Sequence, residues 1–136
     1  MKKVGLALGS GAARGIAHIG VIQVLLEHNI PIDYVSGCSM GAVIGAIFCT
    51  GSDMYTLGKM ASTITERMFF DVTLPKYGLL KGKKAEELVA LLTKNYTFEQ
   101  CKIPFVVAAC DLVSAKTVAL NTGNIARAVR ASFSVP

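Results

Sequence analysis

The sequence lacks several features that would indicate common classes of protein. Its four cysteines form no C-x-x-C pair and its two histidines lie far from them, so we expect reduced thiols and no metal site. We also predict no cofactor. Its basic balance, a net charge of +5, comes without a basic stripe interleaved with aromatic residues, which argues against nucleic-acid binding. The apolar stretch Met40–Thr50 is too short to cross a bilayer.

The amino terminus does not read as a secretion signal either. Lys2 and Lys3 precede the apolar run Val4–Leu8, but that run is short and is broken by Gly9. We therefore predict a cytoplasmic protein and leave open a peripheral contact with a membrane. Its oligomeric state is left unspecified.

Apolar runs alternate with segments of helical periodicity along the 136 residues, of which 52% are hydrophobic. Strands are predicted at Val4–Leu8, Ile32–Ser36, Phe105–Cys110 and Thr117–Leu120. Helices are predicted from Ile16 to His28, at Met40–Thr50, Asp53–Thr65 and Lys83–Leu92, and from an Asn124 cap to Arg130, with a loop at Phe69–Lys81. This alternation predicts an α/β fold with a mainly parallel, buried sheet.

The first candidate site is the G-x-S-x-G segment Gly37–Gly41, which lies between a predicted strand and a predicted helix. In this context the pattern is typical of a nucleophile elbow, a tight turn that strains and exposes the serine. Gly37 and Gly41 avoid collisions in that turn, and Gly45 lets the helix pack close to the sheet. Ser39 is the predicted nucleophile, because the helix terminus beside it favours developing negative charge.

The second candidate site is the loop Gly9–Gly15, which directly follows the first strand. Its small residues leave backbone N–H groups free to face an anion, and the following helix adds its dipole. Taken alone, the loop could hold a phosphate or an oxyanion. Beside a nucleophile elbow, an oxyanion hole is the better interpretation. Arg14 could structure this loop, contact an anionic lipid head group or form an ordinary surface salt bridge.

A serine nucleophile normally needs a base, and the sequence offers no usual one. Both histidines, His18 and His28, precede Ser39, so a triad in the order Ser, Asp, His is impossible within these residues. We expect His18 to be a packed or hydrogen-bonded residue of the first helix. The pattern therefore points away from ordinary α/β-hydrolases.

The combined motifs resemble the patatin-like phospholipases, and most of all the short bacterial branch related to neuropathy target esterase. The matching segments are LGSGAARGIAHIGV at Leu8–Val21, GCSMG at Gly37–Gly41, Asp111-Leu112 after a strand, and the A-S-x-x-x-P segment Ala131–Pro136. The resemblance implies a three-layer patatin-like fold with helices on both faces of the sheet. It also implies a Ser–Asp dyad with Ser39 as nucleophile, and an oxyanion hole from the amides of Gly11 and Ala12, with Arg14 beside them. The implied substrates are phospholipids, lysophospholipids or other fatty-acyl esters.

The sequence departs from the family pattern at the dyad aspartate. That aspartate belongs to a downstream D-G-[GA] motif, and no Asp-Gly pair occurs between residues 1 and 136. Asp111 lies in a different segment and is not taken as the general base. We therefore expect residues 1–136 to be the N-terminal part of a single patatin-like hydrolase domain whose C-terminal part is missing, and to be inactive alone.

Two other functions remain open. The loop after the first strand resembles a dinucleotide-binding loop, and Tyr55 and Lys59 have the spacing of a dehydrogenase pair, which would suggest a Rossmann-type module. Against it, the glycine spacing is wrong, and Asp33 begins the second predicted strand whereas a ribose-binding carboxylate should end it. A non-catalytic lipid-binding domain is the third possibility.

Overall fold

The computed structural model describes residues 2–61, 63 and 78–134, with side chains described for all of these except 78–81. The strands are β1 (Gly5–Leu8), β2 (Tyr34–Cys38), β3 (Phe105–Asp111) and β4 (Lys116–Leu120). The helices are α1 (Ala17–Glu27), α2 (Met40–Cys49), α3 (54–61), α4 (Gly78–Leu92) and α5 (Ile125–Phe133), and short 3-10 turns occupy Ala12–Ile16 and Phe98–Gln100.

The four strands form one sheet in the order β1-β2-β3-β4. β1 pairs with β2 and β2 with β3 in parallel, whereas β3 and β4 form an antiparallel pair. The α/β class and the mainly parallel sheet are therefore confirmed. Leu8 is in register with Gly37, so β1 and β2 end at the same edge, and each is followed there by one of the two glycine motifs.

One face of the sheet forms the core. α2 and α5 both pack against the sheet and against each other, so they lie on the same face. Leu8, Val35 and Val107 are buried, and all ten residues of α2 are buried as well. On the other face Tyr34 and Ser36 are exposed, and helices on that face stay a prediction.

Small residues allow α2 to lie close to the sheet, as the sequence predicts. A Cβ built on Gly45 would stand 2.8 Å from Cε2 of Phe105 in β3. Ala42 and Ala46 are fully buried on the same helix. This close approach places the middle of α2 directly against β2 and β3.

Some boundaries differ from the sequence predictions. β2 begins and ends two residues later than predicted. Its end is later because Gly37 continues the ladder opposite Leu8 and does not break it. α4 begins at Gly78, five residues before the predicted start. Glycine is tolerated there, since the first N–H groups of a helix need no partner within the helix. The rest of the predicted loop, 69–77, lies outside the described residues, as do 62, 64 and 65 of the third predicted helix.

The last helix confirms its predicted cap and extends three residues beyond the predicted end. The Asn124 side chain accepts a hydrogen bond from the Arg127 N–H at 3.1 Å, as an N-cap residue does. Arg130 on this helix forms an ion pair with Glu86 of α4, with 2.7 Å between Nη1 and Oε2. α5 continues to Phe133, which brings Ser132 into a helical position beside the sheet.

Candidate active site

Ser39 occupies a strained turn between β2 and α2. Its backbone angles are φ 53° and ψ −119°, a conformation that non-glycine residues rarely adopt. The Ser39 carbonyl oxygen accepts N–H groups from Ala42 at 2.9 Å and Val43 at 3.1 Å, which begin α2. Strain of this kind costs about 1–3 kcal/mol and persists only where the surroundings enforce it.

The two glycines of the G-x-S-x-G segment are required by steric contacts. A Cβ on Gly37 would stand 2.6 Å from the Ala42 Cα atom. A Cβ on Gly41 would overlap the carbonyl oxygen of Leu8 and stand 2.5 Å from that of Gly9. The first glycine lets the chain turn on itself, and the second lets α2 begin directly against the end of β1. Both were predicted as features of the elbow.

The loop Gly9–Gly15 packs directly on this turn. A Cβ on Gly15 would stand 2.5 Å from Cγ of Met40, the residue that follows Ser39. The Ser10 hydroxyl donates a hydrogen bond to Sγ of Cys38 at 3.2 Å. The structure thus brings the two sequence-predicted motifs together, and their contact leaves no room for a larger residue at Gly15.

The backbone of this loop presents amides in a tight turn. Gly11 has φ 156° and Ala12 has φ 45°, and the 3-10 turn begins at Ala12. The first N–H groups of such a turn have no partner within it, which leaves them for an external acceptor. The Arg14 N–H, by contrast, donates to the Gly11 carbonyl oxygen at 2.9 Å. Only the exposed side chain of Arg14 therefore remains for the predicted role at an anion site.

Ser132 is a site residue that the sequence reasoning did not single out. Its hydroxyl oxygen accepts a hydrogen bond from the Ser39 N–H at 2.8 Å and donates one to the Ala108 carbonyl oxygen at 2.6 Å. It therefore links the strained turn to β3. The available signal was the A-S-x-x-x-P segment, whose serine is this residue, but the pattern gives no contact for it.

The histidines of the chain have structural partners. His18 Nε2 lies 2.8 Å from the Gly9 carbonyl oxygen, and because a carbonyl only accepts, that nitrogen donates its proton. His18 is thus hydrogen-bonded, as predicted, and it fixes the start of the loop. His28 likewise donates from Nδ1 to the Val24 carbonyl oxygen at 2.9 Å, within its own helix.

Asp111 serves the turn that joins β3 and β4. Its carboxylate accepts the Ser114 hydroxyl at 2.7 Å and the Val113 N–H at 3.0 Å. These hydrogen bonds, the Ser114 hydroxyl first, hold the pKa of the Asp111 carboxyl below its usual value. Across residues 2–61 and 82–134, no histidine or carboxylate makes a hydrogen bond with Oγ of Ser39, so the described residues supply no base in contact with it.

The cysteines form no disulfide. All four are free thiols, and burial raises the pKa of the Cys49 thiol well above its usual value.

In the part of the chain that the structure describes, no three cysteines, histidines or carboxylates come together as a metal site. Among the same residues, no helix has both the length and the apolar character to cross a membrane.

The described residues thus combine a mainly parallel α/β sheet with a strained serine that directly follows β2 and precedes α2. This combination is the local geometry of a nucleophile elbow. A family model described as "Patatin-like phospholipase" matches residues 6–136. The chain belongs to the patatin-like phospholipase family.

Similar proteins agree with this assignment. An uncharacterized NTE family protein of Mycobacterium tuberculosis is 37% identical over 137 residues, which covers 98% of this chain and 38% of that protein. The neuropathy target esterase sws of Drosophila grimshawi is 31% identical over 138 residues, with 97% of this chain and 9% of that protein covered. The chain therefore spans less than two fifths of the length of these relatives.

A solved structure shares the fold. Full-length ExoU from the type III secretion system of Pseudomonas aeruginosa, in complex with SpcU, aligns with a TM-score of 0.73 at 16% identity, over 98% of this chain and 38% of ExoU.

The family assignment removes the support for the Rossmann-type alternative. The Tyr55 hydroxyl, which it would pair with Lys59, donates to Oε1 of Glu27 at 3.0 Å.

Proposed function

We propose that the protein is a serine lipid acyl hydrolase of the phospholipase, lysophospholipase or esterase type, with Ser39 as its nucleophile. The observation that supports this most is the strained turn at Ser39, which stands at the amino end of α2 with the loop Gly9–Gly15 packed on it. Backbone strain is energetically unfavourable and clusters at active sites, and a strained serine at a strand-to-helix junction is the geometry of a nucleophile elbow. The family membership of the chain agrees with this chemistry.

In the proposed reaction, Oγ of Ser39 attacks the carbonyl carbon of a fatty-acyl ester while a base takes the hydroxyl proton. The carbonyl oxygen becomes an oxyanion, which the amides of Gly11 and Ala12 stabilise. Collapse of this tetrahedral intermediate breaks the ester bond, and the proton passes to the departing alcohol. A water molecule then attacks the carbonyl carbon of the acyl-enzyme in the same way, which releases the fatty acid and restores Ser39.

We propose that the base is the aspartate of a D-G-[GA] motif outside residues 1–136, which together with Ser39 makes a Ser–Asp dyad. Two observations support this. Both histidines have structural partners, and the carboxylate of Asp111 is occupied by its own turn. Residues 1–136 would then be the N-terminal part of a single hydrolase domain, and a serine without a base is a weak nucleophile.

The proposed substrates are phospholipids, lysophospholipids or other fatty-acyl esters, without a commitment to head group or chain length. The family is named for a phospholipase and the Drosophila relative for an esterase, and both names agree with a carboxylic ester as the substrate. The exposed Arg14 side chain, beside the amides, suits a negatively charged head group. Such substrates would bring a cytoplasmic protein to a membrane surface, as a peripheral contact.

The test is covalent labelling of the full-length protein by a serine-directed fluorophosphonate probe, followed by an esterase assay. We expect labelling and ester hydrolysis in the wild type, and loss of both in Ser39→Ala with the thermal unfolding temperature little changed. Ser36→Ala is the matched control, because Ser36 is an exposed serine three residues earlier, in β2. If wild type and Ser39→Ala behave alike, Ser39 is not the nucleophile. Lipid binding without any labelling would indicate the non-catalytic alternative.

A further inference from the structure

The hydrogen bonds between β2 and β3 follow the regular pattern of a parallel pair up to the strained turn. Val35 N–H donates to the Pro104 carbonyl oxygen at 3.0 Å, and the register continues to Cys38 opposite Ala108. Along one parallel strand, the N–H groups that face a given neighbour recur every two residues. Ser39 follows Val35 by two such intervals, four residues in all. Its N–H should therefore donate to the Ala108 carbonyl oxygen.

A side chain from α5 stands in that hydrogen bond. The Ser39 N–H donates to Oγ of Ser132 at 2.8 Å, and Oγ of Ser132 donates to the Ala108 carbonyl oxygen at 2.6 Å. A hydroxyl has one proton and two lone pairs, so it can accept from the first group and donate to the second without loss of either bond. The Ser132 hydroxyl thus replaces one direct backbone hydrogen bond of the sheet by two.

We propose that Ser132 is a positioning residue that acts as a spacer, holding Ser39 away from β3 so that the chain can turn into α2 and Oγ of Ser39 keeps a fixed position. Two bonds meeting at a hydroxyl oxygen keep the Ser39 nitrogen and the Ala108 oxygen about 4–5 Å apart, whereas a direct bond would need about 3 Å. A direct bond would draw Ser39 back into the extended strand. This role rests on the proposed function, since positioning matters only if Ser39 reacts.

The surroundings make this spacer hard to replace. Gly37 and Gly41 already stand against backbone atoms, so the turn has little freedom to close the gap by itself. Removal of the hydroxyl leaves the Ser39 N–H and the Ala108 carbonyl unpaired in a half-buried place, where an unmet polar group is unfavourable. In either response, closure or an unpaired amide, Oγ of Ser39 loses its fixed position.

The experiment compares Ser132→Ala, Ser132→Thr and Ser134→Ala in the full-length protein. Ser132→Thr keeps the hydroxyl. Ser134→Ala is the matched control, because Ser134 also ends α5 but donates only to the Arg130 carbonyl oxygen of its own helix. For each variant we measure the rate of fluorophosphonate labelling per folded molecule, kcat and KM on a fatty-acyl ester, and hydrogen exchange of the Ser39 amide.

We expect Ser132→Ala to slow labelling and lower kcat by about 10- to 100-fold with KM nearly unchanged, since displacement of a reacting group by about 1 Å has effects of this size. Its Ser39 amide should exchange faster. Ser132→Thr should restore most of the rate, and Ser134→Ala should match the wild type. A loss of stability with unaltered labelling of the folded molecules would mean a merely structural role and would overturn the proposal.

Two further results are distinguishable. If the wild type is not labelled at all, the proposed function fails and the positioning role of Ser132 fails with it. If the wild type is labelled and Ser132→Ala is labelled equally fast, the proposed function stands and only the positioning role is overturned. If Ser132→Ala does not fold, Ser132→Cys takes its place, because a thiol fills a similar space but is a weak donor and acceptor. Labelling and exchange in Ser132→Cys at wild-type rates would also overturn the proposal.

Discussion

Substitution of Gly41 by alanine should disable the site by separating the two motifs. The new Cβ would overlap the Leu8 carbonyl oxygen and stand 2.5 Å from the Leu8 carbonyl carbon. Because non-bonded carbon atoms prefer about 3.5–4.0 Å, the start of α2 and the end of β1 must move apart by about 1 Å. Overpacking of this kind destabilises a fold by about 1–3 kcal/mol. The same movement shifts Ser39 relative to the loop Gly9–Gly15.

A misplacement of about 1 Å can lower catalytic rates about 100-fold, which corresponds to about 2.7 kcal/mol of transition-state stabilisation. We therefore expect Gly41→Ala, in the full-length protein, to lower kcat/KM on a fatty-acyl ester by about two orders of magnitude, corrected for the folded fraction. Gly20→Ala is the control, since Gly20 lies in α1 with nothing within 4 Å of a new Cβ. There alanine should keep full activity and raise stability by about 0.5–1 kcal/mol. Wild-type kcat/KM in folded Gly41→Ala would refute the steric reasoning.

Three further predictions concern the rest of the site. Gly11→Ala should lower kcat about 10- to 100-fold, because φ 156° disfavours alanine and the donors of an oxyanion hole would shift. Gly9→Ala is the control and should keep wild-type kinetics, since a Cβ at Gly9 has open space around it. Equal kcat in both variants would contradict this prediction. Asp111→Ala should keep the labelling rate but unfold at a lower temperature at neutral pH. The pKa of the Asp111 carboxyl is lowered in the folded protein, so its stabilisation is present above the unfolded pKa and disappears as the pH falls through the folded pKa. The unfolding temperatures of wild type and variant should therefore converge in acid. A difference in unfolding temperature that stays constant with pH would contradict this prediction. Residues 1–136 alone should hydrolyse a fatty-acyl ester far more slowly than the full-length protein, and comparable specific activity would place the base within these residues.

The elbow and the glycine loop were predictable because their geometry is set by local rules. The tight strand-to-helix turn at Ser39 needs glycine on both sides, and that requirement is written in five consecutive residues. Because ligands bind at the carboxyl ends of the strands in an open α/β sheet, the motifs that follow β1 and β2 are expected at the same edge. The contact of Gly15 with Met40 agrees with that expectation.

Other parts of the site depend on atoms that sequence patterns do not describe. Whether the Arg14 amide faces outward or closes a turn on Gly11 depends on backbone angles within a short 3-10 turn. The bonds of Ser132 depend on where α5 is fixed, by the cap at Asn124 at its amino end and by the ion pair of Arg130 in its last turn. Sequence patterns miss the start of α4 at Gly78, because a glycine near a proline is a loop signal.

The bond between the Ser39 amide and Ser132 joins residues 93 positions apart in the chain. Contacts of such long separation form late, because the entropy of closing the intervening loop must first be overcome. We therefore expect β1, β2 and α2 to assemble before the turn at Ser39 acquires its final shape, which waits for α5 to dock. During refolding, reactivity of Ser39 toward a fluorophosphonate should appear after helical structure does, and so report the last step of folding.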